Sequence, residues 1–418
     1  MARGGRALST TTVRDLRKTN RAAALWVLYL HGALSRQEIG TATGVSLATV
    51  SNVVGELLEQ GVVVESGLED STGGRPRALV EVNATYGYVI GVDIGETAFL
   101  VELFDLHMTA LASHRSSTDV TRLDPQDALA HVVEGIERVI SDSGVAEDDV
   151  LGVGVGVPGL VELANGAVVH GQSIGWDAVP FGALLRERVA LPILIDNGAK
   201  TLGQAETWFG AARGVDDAVI ALLGIGVGTS IITDRRLYRG STSSAGEWGH
   251  TTIVVDGRTC RCGARGCLEA YIGAGAVAAR YDELAGRRHR GSTDLEKRVG
   301  RIVTAGDTDP VAAQVLDETA TYLGVGIANL ANLFNPQRVV VGGWLGRAMG
   351  PVLLPKIRAA AGHNALRLPF SHLEIVGAEL GADAVALGAA TLPVAEFLSL
   401  GGRAKAARPR GARHVAGR

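Results

Sequence analysis

The three cysteines of this chain stand close together, at Cys260, Cys262 and Cys267, and His250 precedes them. Three thiols and one imidazole make a complete tetrahedral zinc set. Gly263 and Gly266 let so short a loop fold back on one ion. Four protein ligands leave no open coordination position, so the expected Zn2+ is structural and not a generator of hydroxide. Two carboxylates, Glu247 and Glu269, flank the ligands within residues 245–269. A closed metal loop does not need them, and carboxylates held on a rigid loop can accept paired hydrogen bonds from sugar hydroxyls.

The pattern Gly246-Glu247-x-Gly249-His250, followed by Cys260-x-Cys262-Gly263-x-x-Gly266-Cys267-Leu268-Glu269, resembles the signature of the ROK family of bacterial repressors and sugar kinases. The resemblance implies that the zinc loop shapes a sugar pocket. It also implies that Glu247, His250 and Glu269 contact the sugar, with the histidine serving metal and sugar at once. In Asp196-Asn197-Gly198-Ala199, Asn197 matches the asparagine of the family's Asn-Asp-Ala segment. The kinases carry their general base at the next position, and here that position is Gly198. Glycine neither accepts a proton nor orients a hydroxyl. Asp196 belongs to the preceding strand, where successive side chains point to opposite faces, so it is a poor substitute. Ser173 stands where the family often has asparagine and is a further sugar contact on the resemblance. Asp93-x-Gly95-x-Thr97 and Gly224-x-Gly226-x-Gly228-Thr229 look like the family's phosphate loops. Glu96 occupies a place where the kinases usually have glycine, and a carboxylate there repels phosphate.

These groups must be positioned by a chain of 418 residues, 46% hydrophobic and 20% charged, which predicts a soluble protein of two or three domains. The net charge of −4 supplies no global basic field, so any DNA-binding surface is local. Cysteines at metal spacing, the lack of a signal core and the lack of a membrane-spanning apolar run predict a cytoplasmic protein without membrane contact. Residues 1–12 are expected to be disordered. A helix is predicted from Val13 to His31, then Ser35-Arg-Gln-Glu38 as a capping box opening a helix to Thr43. Ser46 caps a third helix, Leu47 to Gln60. Two short valine-rich strands follow, 62–64 and 79–82, joined by Ser71-Thr-Gly-Gly-Arg75-Pro-Arg77. This is a winged helix-turn-helix pattern, residues 13–83, also resembling the head of ROK repressors. The third helix would enter the major groove of double-stranded DNA with Ser46, Thr49, Ser51 and Asn52 forward. Arg75 and Arg77 on the wing suit a backbone or a narrow minor groove.

From Tyr86 a strand, glycine turn and strand appears, and it recurs from Ala218 to Thr233, with helices and further strands after each. Two similar halves predict an internal duplication and a cleft between α/β lobes. The resemblance names this the two-lobed actin-like, ribonuclease-H-like ATPase fold, residues 84–399, closed by a helix over 382–398. The basic stretch 400–418 is expected to be a disordered tail. The whole predicts a ROK-type transcriptional regulator of sugar utilisation, a repressor, controlled by a sugar or sugar phosphate in a catalytically inactive kinase-like domain. Helix-turn-helix proteins bind two-fold sites, so a homodimer or homotetramer is expected. The competing reading is an ATP-dependent sugar kinase with an added head; Gly198 and Glu96 oppose it.

Overall fold

The computed structural model describes residues 13–68, 77–117, 123–287 and 294–402. Helix α1 (Val13–His31) is followed by strand β1 (Leu34–Ser35) and helix α2 (Arg36–Thr43). The expected capping box is formed: the Ser35 N–H donates to Glu38 Oε2 at 2.8 Å and the Glu38 N–H to Ser35 Oγ at 3.4 Å. Helix α3 (Leu47–Glu59) starts where Ser46 Oγ accepts from the Thr49 N–H. Val50, Val53, Val54 and Leu57, at helical spacing, are buried with Leu25 and Leu28 of α1 and Ile39 of α2. Strands β2 (Val63–Leu68) and β3 (Ala78–Val82) join β1 in an antiparallel sheet of order β1-β3-β2. Val62, expected to open the strand, is instead buried just before it. Arg75 and the rest of the hairpin tip lie outside the described residues, as do the two segments expected to be disordered, 1–12 and, from residue 403, the basic tail.

The first lobe comprises β4 (Tyr88–Ile94), β5 (Ala98–Asp105), β6 (Ala110–Ser117), α4 (Pro125–Ser143), β7 (Val150–Val157), β8 (Leu160–Glu162), β9 (Val168–Gly171), β10 (Trp176–Val179), α5 (Phe181–Arg188), β11 (Ile193–Asn197) and α6 (Gly198–Phe209). Its sheet has the order β11-β7-β4-β5-β6, an antiparallel meander extended by two parallel strands. The strands β4 and β7 read as nearly continuous apolar runs, broken only by Asp93, because both faces are covered. Strands β8 to β10 make a small separate sheet.

The second lobe repeats the plan. It comprises β12 (Ala218–Leu223), β13 (Val227–Thr233), β14 (Arg236–Tyr238), α7 (Glu269–Ile272), α8 (Ala274–Leu284), α9 (Leu295–Thr304), α10 (Pro310–Phe334), β15 (Arg338–Gly342), α11 (Gly343–Asn364), α12 (Arg367–Ser371), β16 (Glu374–Gly377) and α13 (Ala384–Ser399). The sheet order β14-β13-β12-β15-β16 is again a meander extended by two parallel strands, so the duplication expected from the glycine turns is present in the topology.

Helices α6 and α13 pack on each other between the lobes. Helix α13 lies on β4 and β7, closer than a Cβ on Gly154 would allow: it would meet Ala389 O at 1.8 Å, so that strand position admits only glycine. Helix α6 packs on β12 and β13. The far ends of both helices reach the N-terminal head. Trp208 of α6 meets Trp26 and Tyr29 of α1, and Phe397 and Leu398 of α13 share an apolar cluster with Leu25 and Val62. Arg21, 3% exposed, donates to Gly401 O at 3.0 Å.

Candidate functional site

A cleft of about 370 Å³ opens between the lobes, within the usual range for small-molecule sites. All five residues expected to hold a sugar line it: Ser173, Asn197, Glu247, His250 and Glu269. Asn197 closes β11 and caps α6. Its Oδ1 accepts from the N–H of Ala199 (2.9 Å) and Lys200 (3.2 Å), and its Nδ2 donates to Gly159 O (2.6 Å). The amide is thus fixed at both ends, and one N–H remains for a ligand. Ser173 sits in a short helical turn, Gln172–Ile174, at the cleft wall.

Gly198, the first residue of α6, also lines the cleft. A Cβ built there meets only ordinary contacts, Val157 O and Val385 Cγ1 at 3.7 Å, so packing does not demand glycine. Asp196 is buried outside the cleft lining, paired with Arg239 and accepting from the Asn197 N–H at 2.9 Å. Strand alternation therefore turns it away from the site, as expected.

Beside them Lys200 is buried and donates to Ser243 O. Burial holds its ammonium below the ordinary range, against the opposing pull of Asp196 and Glu247. Burial pushes the Glu247 carboxyl up, opposed by His250 and Lys200. Glu269 heads α7 and is 6% exposed. Its Oε2 accepts from the Val227 N–H (2.9 Å) and its Oε1 from Arg261 Nε (3.2 Å). Arg261 Nη1 reaches Glu96 Oε1 at 3.2 Å, and Glu96 Oε2 accepts from the Gly226 N–H at 3.1 Å. Reading the sequence passes over Arg261; the available signal was its place between two metal ligands, Cys260 and Cys262. Asp93 lies deeper in the same cleft, where burial pushes its carboxyl up to about 7 against the pull of Arg115.

The metal-type residues converge as the spacing predicts. Donor atoms of His250, Cys260, Cys262 and Cys267 all lie within 4.8 Å of one another and could hold a metal ion. Cys262 and Cys267 sulfurs are 3.8 Å apart, and His250 Nδ1 is 3.7 Å from Cys260 Sγ. Burial pushes the Cys260 thiol up to about 12, so its ionisation calls for a neighbouring cation. The loop is pinned by the Trp248 indole N–H, donating to Gly326 O at 3.2 Å. Gly266, at φ +77°, turns so tightly that a Cβ would stand 1.7 Å from Val254 O.

In the head, Asn52 is exposed on α3. Ser46 and Thr49 are committed locally, their hydroxyls 2.9 Å apart at the cap, and Ser51 is half-buried. Arg77 is exposed at the foot of β3, not at the hairpin tip, and belongs to the charges around Glu38. Leu47, the first residue of α3, is 55% exposed beside Ser46. No described helix is long and apolar enough to cross a membrane.

The two-lobed α/β body, with its duplicated sheets and its His/Cys loop at the cleft, defines a sugar-kinase-like fold carrying a helical head. The chain belongs to the ROK family, whose model matches residues 89–396. It is 30% identical over 390 residues to a xylose repressor of Caldicellulosiruptor bescii, covering 92% of this chain and 97% of that one. A solved ROK family transcriptional regulator, described as a homologue of an Escherichia coli MLC protein, superposes with a TM-score of 0.77 at 24% identity, over 93% of this chain and 98% of that one. A ROK glucokinase of Streptomyces griseus, solved with glucose and AMPPNP, superposes with a TM-score of 0.62 at 30% identity. It covers 73% of this chain and 99% of the kinase.

Proposed function

We propose that this chain is a sugar-responsive transcriptional repressor. In this reading residues 13–83 bind duplex DNA and residues 84–399 sense a sugar. The observation that carries it is one cleft with the fold of a sugar kinase, glycine at the position of the base, and two helices running from that cleft to a helix-turn-helix head. The likeness to a xylose repressor over nearly the full length supports the same reading. The sugar would be held by Glu247, Glu269, the remaining N–H of Asn197, Ser173 and His250, whose Nδ1 turns to the thiols.

The ion of the metal loop is zinc in this reading. A tetrahedron with Zn–S of about 2.3 Å has sulfur–sulfur edges of about 3.8 Å, and Cys262 and Cys267 stand 3.8 Å apart. Zinc would hold the loop that carries Glu247 and leads into Glu269; with four protein ligands it would take no part in chemistry.

On the DNA, Asn52 has the exposure and the amide needed to read a base edge, and the chain would act as a dimer or tetramer on a two-fold site. Selection from a random duplex library tests this. The expected result is an enriched two-fold motif, released by a monosaccharide from a panel that includes xylose and glucose. Asn52→Ala should relax preference at one base pair per half-site by about 1–3 kcal/mol. No enriched motif, or ATP-dependent phosphorylation of a sugar at ordinary kinase rates, would overturn the reading.

A further inference from the structure

The second glycine turn, between β12 and β13, is where a phosphate would be received: backbone N–H groups of such turns face anions. Here the chain supplies the anions itself. The Gly226 N–H is taken by Glu96 Oε2 from the opposite lobe and the Val227 N–H by Glu269 Oε2. Arg261 sits between the two carboxylates, bonded to Glu96 Oε1 and Glu269 Oε1 at 3.2 Å each. The four groups pack tightly: a Cβ on Gly226 would stand 3.3 Å from Arg261 Nη2, 3.6 Å from Glu269 Oε2 and 3.8 Å from Glu96 Oε1. On the far side of the same turn the Trp344 indole covers Gly224, 3.1 Å from where its Cβ would be. The only guanidinium on this side of the cleft among the described residues is therefore already shared by two carboxylates. Across the whole lining, five carboxylates (Asp93, Glu96, Glu247, Glu269 and Glu296) face two guanidiniums (Arg115 and Arg261).

We propose that Glu96 is the resident occupant of the anion site of this cleft, and that with Arg261 it restricts the effector to an uncharged sugar. A phosphorylated sugar or a nucleotide would have to displace a carboxylate from Gly226 and enter a field of like charge, which is how a site rejects a wrong ligand. An uncharged sugar meets no such barrier, because hydroxyls donate to Glu247 and Glu269 and require no counter-charge. The proposal rests on the sugar reading of the cleft, so its test has one arm that does not depend on it.

The first arm measures the melting temperature of the full-length wild type and of Glu96→Ala with pyrophosphate and with magnesium AMPPNP. Glu96 lies in the half-buried turn between β4 and β5, and melting curves without ligand report whether the variant is folded. The expected result is no stabilisation of the wild type and a saturable stabilisation of Glu96→Ala, whose Gly226 N–H and Arg261 are freed. Equal responses of the two proteins, whether both rise or neither does, overturn the role of Glu96. The second arm titrates wild type with monosaccharides and their phosphate esters. The parent sugar should bind roughly tenfold or more tightly than its ester. Tighter binding of an ester overturns the restriction to uncharged sugars. If neither form of any sugar binds while pyrophosphate separates the two proteins, the sugar reading falls and the assignment of Glu96 stands.

Discussion

Trp208 is where an effector signal would leave the sensor. It lies near the end of α6, 8% exposed, with its ring edge-on to Trp26 (centroids 5.4 Å apart) and to Tyr29 (5.6 Å) of α1. The other end of α6 is the cleft itself, where Asn197, Gly198, Ala199 and Leu202 line the pocket. A helix of 12 residues is about 18 Å long and moves as a rigid element. Replacing Trp208 by leucine keeps an apolar group but removes both ring pairs to the head. Each such pair contributes about 0.5–1.5 kcal/mol beyond its buried area, so about 1–3 kcal/mol of contact between α6 and α1 is lost. That is the size of a typical coupling free energy between two sites. The assay is operator binding by fluorescence anisotropy with and without saturating sugar, beside sugar affinity by calorimetry. Trp208→Leu should bind sugar as the wild type does, while the ratio of operator affinities with and without sugar moves toward unity by about fivefold or more. Trp26→Leu, from the other side of the same contact, should act alike, and the two together should be less than additive. If both folded variants keep the wild-type ratio, the route through α6 is refuted.

Purified wild type should carry about one zinc per chain by the four-ligand rule. Cys262→Ser should lose that zinc, melt at a lower temperature and bind sugar more weakly, because Glu247 precedes the loop and Glu269 follows it; full zinc occupancy in the variant would refute the site. Asp93 makes a pH prediction. Its folded carboxyl, near 7, lies above its unfolded value, so the unfolded chain binds fewer protons between roughly pH 4 and 7 and stability falls as pH rises through that window. Asp93→Asn should flatten this slope and stabilise the protein at pH 8 relative to wild type; a melting series with the same slope in both proteins would show that Asp93 does not titrate there.

The convergence of the His/Cys loop was legible in the sequence because its spacing is local. Cys260, Cys262 and Cys267 are near neighbours, and their convergence with His250 follows from tight turns such as Gly266. The head was legible for a similar reason: caps at Ser35 and Ser46 and helical spacing of valines are short-range signals. The duplication showed through the two glycine turns, and the sheets repeat it strand for strand. What stayed hidden depends on long-range packing. Nothing near Glu96 in the chain announces that its carboxylate crosses to Gly226, 130 positions away, or that Arg261 joins it there. Trp26, Tyr29 and Trp208 read as separate apolar residues until α1 and α6 are brought together. Asn197 was legible as a cleft residue, but its double commitment, to the N-terminus of α6 and to Gly159 O, is visible only in the fold.

Gly198 links the missing carboxylate of β11 to the regulation proposed for this chain. It stands at the end of β11 and is the first residue of α6. A carboxylate at that place would act on the bound sugar; in the proposed reading, with glycine there, binding energy would have no chemical step to serve and would remain available for conformation. The limit on what it can do is set by differential affinity, not by occupancy. If the sugar binds only the conformation of α6 that is incompatible with operator, operator affinity falls by the factor 1 + [L]/Kd. At a hundred times its dissociation constant that is about a hundredfold, or about 2.7 kcal/mol. The aromatic contact between α6 and α1, at about 1–3 kcal/mol, is of matching strength. A much weaker contact would let α6 move without the head, and a much stronger one would hold α6 against the sugar. Regulation through α6 thus calls for a contact of about this strength at Trp208, and a titration of operator affinity against sugar concentration would leave the 1 + [L]/Kd line and level off where that contact is exhausted.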